Sequence, residues 1–204
     1  MGIEIRKVTV GPWPMNAYVL IDPDSRSSII VDPGADVDKI LANTSGTTVQ
    51  QILLTHADWD HIAALPEMIS RTGAPVAAHA EAAGQLEAAP ERNFQEDDIV
   101  TLGDQQILVI ETPGHAPGHV SFFFGNQLIG GDVLFPGGPG RTASPTHFQQ
   151  IVRTITEVLF ALPDDVTIYP GHGENVTMAR AKSEYAAFVA RETPADLFGD
   201  VTWV

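Results

Sequence analysis

Thr55-His56-Ala57-Asp58-Trp59-Asp60-His61 is the stretch on which the reading of this chain turns. It sets four side chains able to hold a metal (His56, Asp58, Asp60 and His61) within six residues. Residues 49–54, just before it, end in the apolar run Ile52-Leu53-Leu54 and read as a buried strand. Loops at strand ends are where binding groups collect, because a rigid scaffold presents them. Alternate residues His56 and Asp58 can face one way and Asp60 and His61 another, so one short loop can serve two adjacent ions. Taken alone, the motif also admits Asp60 as a helix cap and His61 as a surface residue.

Working outward, three more turns repeat one device. Pro113-Gly114-His115, Gly130-Gly131-Asp132 and Pro170-Gly171-His172-Gly173 each place a His or Asp after glycine at the end of a strand-like run. Glycine permits the sharp turn that aims the next side chain inward. Around these turns the pattern predicts strands at 3–10, 16–21, 28–31, 75–79 and 166–169. Two hairpins follow from Gly103-Asp104, between 99–102 and 106–111, and from Gly125-Asn126, between 120–124 and 127–129. Helices are predicted at 36–43, 62–71, 80–87, 146–161 (opened by Ser144-Pro145) and 175–191. Hairpinned strands with helices between and after them imply an α/β fold, an αββα sandwich of two mixed sheets with helices on the outer faces. A single domain over residues 1–204 is expected.

The formal net charge is −15, from 11 Lys and Arg against 26 Asp and Glu. A surface this acidic repels phosphate backbones and anionic bilayers, so the expected partner is a small-molecule substrate, with no nucleic acid and no membrane. Cysteine is absent, which removes disulfides, thiolate ligands and thiol nucleophiles together but says nothing of compartment. No apolar run approaches the roughly 20 residues that span a bilayer, and MGIEIRKVTV alternates like a strand rather than a signal peptide. A cytoplasmic protein is expected, its oligomeric state left open. The acidic stretch 81–104 is expected to be a solvated surface loop.

The order Thr-His-x-x-x-Asp-His, Pro-Gly-His, Gly-Asp, Pro-Gly-His resembles the metallo-β-lactamase superfamily over nearly the whole chain. Asn16-Ala17-Tyr18 and Val31-Asp32-Pro33-Gly34 resemble its opening strands. Within it, Thr55-His56-x-x-Trp59-Asp60-His61, Thr112-Pro113-Gly114-His115-x-x-Gly118-His119 and Gly131-Asp132-x-Leu134-Phe135 with Gly140-Arg141 look like glyoxalase II and its short relatives. The resemblance implies that His56, Asp58 and His115 hold one divalent metal, that Asp60, His61 and His172 hold a second, and that Asp132 bridges them. It implies zinc, with iron or manganese as alternatives, and hydrolysis of a thioester or related small ester by a metal-bridging hydroxide, which Asp60 helps to orient. A persulfide dioxygenase-like iron enzyme and a lactonase or lactamase are the other activities it leaves open. One departure is Asp58, where the superfamily usually has histidine; flavodiiron proteins of the same fold carry a carboxylate there and use iron.

Arg141 stands where glyoxalase II-like proteins present a base to a substrate carboxylate, or else it is a solvent-facing loop residue. His119 and His79 read as structural, His147 as exposed. Trp59 is core or pocket wall, and Trp13 belongs to a loop that can reach the pocket.

Overall fold

The computed structural model describes residues 2–194 and 196–204. Glu4–Val10, Met15–Asp22 and Ser27–Val31 form an antiparallel meander, to which Thr48–Leu53, Val76–His79 and Arg92–Phe94 are added in parallel. The second sheet runs in the order Val176–Thr177, Thr167–Pro170, Gln127–Gly131, Val120–Phe124, Gln105–Glu111, Ile99–Leu102. Its one parallel pairing joins Gln127–Gly131 to Thr167–Pro170.

Side-chain alternation divides the apolar residues among three layers. Tyr18 and Leu20 point between the sheets, where they join Phe94, Phe122 and Ile129. Their neighbours Ala17, Val19 and Ile21 point outward onto Ile40, Leu65 and Met68 of the helices Val37–Ala42 and Leu65–Thr72. On the far side Leu128 and Ile168 meet Phe148, Ile151 and Phe188 of Pro145–Arg153 and Met178–Val189. All eight residues of Met15–Asp22 are buried, so this strand shows no apolar–polar alternation. The result is the αββα sandwich. Among the described residues no helix is long and apolar enough to cross a membrane.

Several elements differ from expectation for local reasons. The helix expected at 62–71 is two, Trp59–Ile62 and Leu65–Thr72. Pro66 is the break, since proline suits the first turn of a helix and not its interior. The helix expected at 146–161 is α-helical over Pro145–Arg153, then turns more widely over Thr154–Val158. There Thr154 Oγ1 donates to the Pro113 carbonyl at 2.8 Å, fastening the helix to the loop that carries His115. The acidic stretch is not one loop. It supplies Arg92–Phe94, an edge strand anchored by the fully buried Phe94. Leu134–Phe135 and Gly138–Pro139 form a small hairpin that the sequence pattern did not suggest.

Candidate metal centre

Every predicted ligand lies at the end of a strand, at one end of the sandwich. His56, Asp58, Asp60 and His61 follow Thr48–Leu53 of the first sheet. His115, Asp132 and His172 follow Gln105–Glu111, Gln127–Gly131 and Thr167–Pro170 of the second. They converge into two groups whose ligand atoms lie within 4.8 Å of one another: His56, His115 and Asp132, and Asp60, His61 and His172. Asp132 faces both groups. Its Oδ1 is 3.5 Å from His61 Nε2, and its Oδ2 is 3.7 Å from His115 Nε2 and 3.6 Å from His172 Nε2. Asp58 stands at the edge: its Oδ2 is 3.3 Å from His115 Nε2, its side chain is 47% exposed, and it belongs to neither tight trio.

The imidazoles share one orientation logic. Each Nδ1–H is donated to an acceptor of the chain: His56 to Thr55 Oγ1 at 2.9 Å, His61 to Asp32 Oδ2 at 3.0 Å, His115 to the Arg141 carbonyl at 2.8 Å and His172 to the Pro14 carbonyl at 2.8 Å. A donor on Nδ1 leaves the Nε2 lone pair free and aims it inward, the usual arrangement of a ligating histidine. The buried Nε2 atoms of His56, His61 and His115, and Asp132 Oδ1, have no hydrogen-bond partner among the described residues. Four buried polar atoms converging without partners would be costly in a finished structure. One cation in each of the two groups would resolve all four. The donor set of neutral imidazole and carboxylate, without sulfur, fits zinc, iron or manganese.

The local field agrees. Burial works against a charged His61, but the Asp32 hydrogen bond and the charges of Asp32, Asp132 and Asp60 prevail and hold its pKa up at about 9. Carboxylates that retain a proton there would retain a metal in its place. His56, fully buried among other imidazoles, is pushed well below its ordinary value and stays neutral. Burial raises Asp132, against the pull of the neighbouring histidines.

Glycine serves these turns in two ways. Gly114 and Gly131 take positive φ, 134° and 53°, so they do supply the turn that aims the next residue. Gly171 supplies room: a Cβ there would lie 2.1 Å from Asp132 Oδ1 and 2.6 Å from His61 Cε1.

Asp32 is the functional residue that motif reading missed. It is buried, and it accepts from Thr55 N at 2.8 Å, Thr55 Oγ1 at 2.6 Å and His61 Nδ1 at 3.0 Å. One carboxylate thus orients His61 directly and His56 through Thr55. The available signal was an acid ending the apolar run Ile29-Ile30-Val31. Asp32→Ala should leave Thr55 N–H and His61 Nδ1–H without partners, lowering stability by about 2–5 kcal/mol. It should also weaken metal binding roughly 10- to 100-fold. Thermal unfolding of chelated protein and zinc competition titration check the two effects; if neither changes, Asp32 is not the orienting group.

The remaining candidates separate cleanly. His119 is structural: its Nδ1 meets Thr112 Oγ1 at 2.8 Å and its Nε2 accepts from Asp132 N at 3.0 Å. His79 caps Ala80–Ala83 and meets Glu111 at 3.2 Å. His147 is exposed on the first turn of its helix. Trp13, Trp59 and Arg141 line one cavity of about 920 Å³ together with Asp60, His172 and Asp200. Trp59 is therefore a pocket wall.

Fold and site together define a metal-binding αββα protein with ligands drawn from both sheets. Residues 10–172 match the metallo-beta-lactamase superfamily, and the chain belongs to that superfamily. It is 37% identical to the probable metallo-hydrolase YqgX of Bacillus subtilis over 190 residues, 82% of this chain and 89% of that one. It is 29% identical to the hydroxyacylglutathione hydrolase GloC of Haemophilus influenzae, covering 89% of this chain and 95% of that one. Among solved structures it is similar to the BLEG-1 B3 metallo-beta-lactamase, with a TM-score of 0.82 and 27% identity over 88% of this chain and 97% of that one. The superfamily's fold implies divalent-metal binding at these His and Asp groups.

Proposed function

We propose that the protein is a dinuclear metallohydrolase of small thioesters. In this reading His56, Asp58 and His115 hold one divalent ion, Asp60, His61 and His172 hold the other, and Asp132 contacts both. The observation that carries it is the set of Nε2 atoms fixed by Nδ1 donation and left without partners where the two sheets meet. When bound, two such ions polarise an acyl carbonyl, make water acidic enough to supply a nucleophile near neutral pH and take up the charge that develops on oxygen.

The chain's own residues do the rest. Asp60, with Oδ2 3.2 Å from His172 Nε2 and its side chain partly open to the cavity, accepts a hydrogen bond from the attacking water and orients it. Water oxygen bonds to the acyl carbon as one of its protons passes to the Asp60 carboxylate and the carbonyl π pair moves onto oxygen. That pair then re-forms the carbonyl as the C–S bond breaks, sulfur leaves with the bonding pair, and Asp60 gives the proton up to solvent or to the departing sulfur. A thiolate is stable enough near neutral pH to leave without a strong acid beside it. The hydroxyacylglutathione hydrolase name of the Haemophilus relative supports a thioester; the lactamase name of the structural neighbour keeps lactams in the test.

Arg141 is proposed to receive a substrate carboxylate. Its side chain is 72% exposed, and its Nε lies 3.7 Å from Asp200 Oδ2. A pair this long and open contributes little, so an incoming carboxylate can replace Asp200. Arg141→Ala should raise KM about tenfold for a carboxylate-bearing thioester and less than about twofold for a neutral one, a charged hydrogen bond being the difference. Asp200→Asn should lower the first KM. Equal effects on both substrates would return Arg141 to the role of a surface residue.

The defining test is metal analysis followed by a panel of an S-acyl thiol, a lactone, a lactam and a persulfide. Thioester hydrolysis lost on chelation and restored by metal is expected. Oxygen uptake with the persulfide, or lactone or lactam opening without thioesterase activity, overturns the proposal.

A further inference from the structure

The chain has three tryptophans, and two of them stand in solvent beside the site. Trp203 is fully buried, whereas Trp13 is 70% exposed and Trp59 is 64% exposed. Both line the cavity of about 920 Å³ that reaches Asp60 and His172, and a smaller recess between them is walled by Val10, Met15 and Ala35. Neither indole makes a hydrogen bond or ring contact among the described residues. Indoles left open are uncommon, because each carries a large apolar surface.

Their backbones adjoin the candidate centre. Trp13 sits between Pro12 and Pro14 in the turn joining the first two strands, and the Pro14 carbonyl holds His172 Nδ1 at 2.8 Å. Trp59 opens the helical turn Trp59–Ile62, directly between Asp58 and Asp60. Both residues are thus joined through the backbone to groups of the candidate centre, while their rings stay exposed. Arg141, in the same cavity, supplies a cationic wall. The cavity is within the size range of small-molecule sites, about 300–1,000 Å³.

We propose that Trp13 and Trp59 form an apolar subsite, so that the substrate class is a thioester carrying an aryl or branched-alkyl group as well as a carboxylate. The proposal deepens the thioesterase reading and rests on it for the reacting bond. A substrate bearing just a small hydroxyacyl group would leave both rings wet. Charge favours this occupant over a lipid surface, because a chain of net charge −15 is repelled by anionic headgroups.

The test reads binding without turnover. Calorimetry compares 4-phenylbutyrate with butyrate on the metal-loaded protein. The two probes share a carboxylate, so the ratio of their affinities reports the apolar end alone. Wild type should prefer phenylbutyrate by about tenfold or more, the worth of burying one ring. The preference should fall below about threefold in Trp13→Ala and in Trp59→Ala, and survive in Trp13→Phe, since a phenyl ring keeps most of the buried area. Metal content measured in each variant shows whether the Asp58–Asp60 loop is intact; Trp13, outside that loop, gives the independent reading. An equal preference in wild type and both alanine variants overturns the subsite. So does a dimer in light scattering that Trp13→Ala converts to a monomer, because the indoles then face a second copy. Phenylbutyrate preference together with a failed thioester panel would overturn the thioesterase reading and keep the subsite.

Discussion

Asp132→Ala is expected to reduce bound metal from about two equivalents to at most one and to lower kcat/KM on a thioester about a thousandfold, the loss that follows when several kcal/mol of charge stabilisation disappear. Asp132 is the one carboxylate that faces both ligand groups, through oxygens 3.5–3.7 Å from the Nε2 atoms of His61, His115 and His172. Its backbone does not depend on its side chain: Asp132 N donates to His119 Nε2, and Gly171 N donates to the Gly131 carbonyl. The variant should therefore fold, with the loss confined to the site. Elemental analysis and steady-state kinetics on the same preparation decide the matter. Two equivalents retained with activity intact would show that the two groups do not share Asp132.

Asp58→His is expected to act in the opposite direction, tightening zinc at the His56–His115 group by about 10- to 100-fold. Against two dications, the carboxylates Asp58, Asp60 and Asp132 leave one net positive charge; a histidine in place of Asp58 leaves two. The wild-type ion is then a weaker Lewis acid, and an oxygen ligand shifts preference toward harder ions such as manganese or iron. Geometry supports this. His115 holds the Asp58 carboxyl below its ordinary value, and with its side chain half-open to solvent Asp58 lies outside the tight trio formed by His56, His115 and Asp132. The longer imidazole reaches further toward the His56–His115 group than the shorter carboxylate does. Competition titration of both proteins with a chromogenic chelator, in zinc and again in manganese, checks the prediction. Equal zinc affinities would show that Asp58 does not set the character of this group.

The parts legible from sequence were those whose information is local. The candidate ligands sit in four short motifs that follow strands, so the residues that cluster at the site and most of both sheets could be read together. What stayed hidden depends on distant partners or on very short elements. Asp32 orients His61 across 29 positions of sequence; an acid ending an apolar run marks it locally but does not name its partner. The edge strand Arg92–Phe94 has three residues and one buried ring, too little to stand out among seven acids. The hairpin Leu134–Pro139 lies among prolines and glycines that ordinarily signal a loop. Residues 146–161 kept their helical period past Arg153; the wider turn there answers to Pro113, a contact visible only in three dimensions.

The division of ligands between the sheets carries a consequence for the folded state as a whole. Four of the candidate donors come from the loop after Thr48–Leu53, and the other three from the ends of three strands of the opposite sheet. An ion held by both sets would cross-link segments more than 100 positions apart in a chain without cysteine. Such a link restricts the unfolded ensemble as a disulfide does, while also stabilising the native state in proportion to metal activity. Metal supply would then govern how long the two halves stay clasped, and not turnover alone.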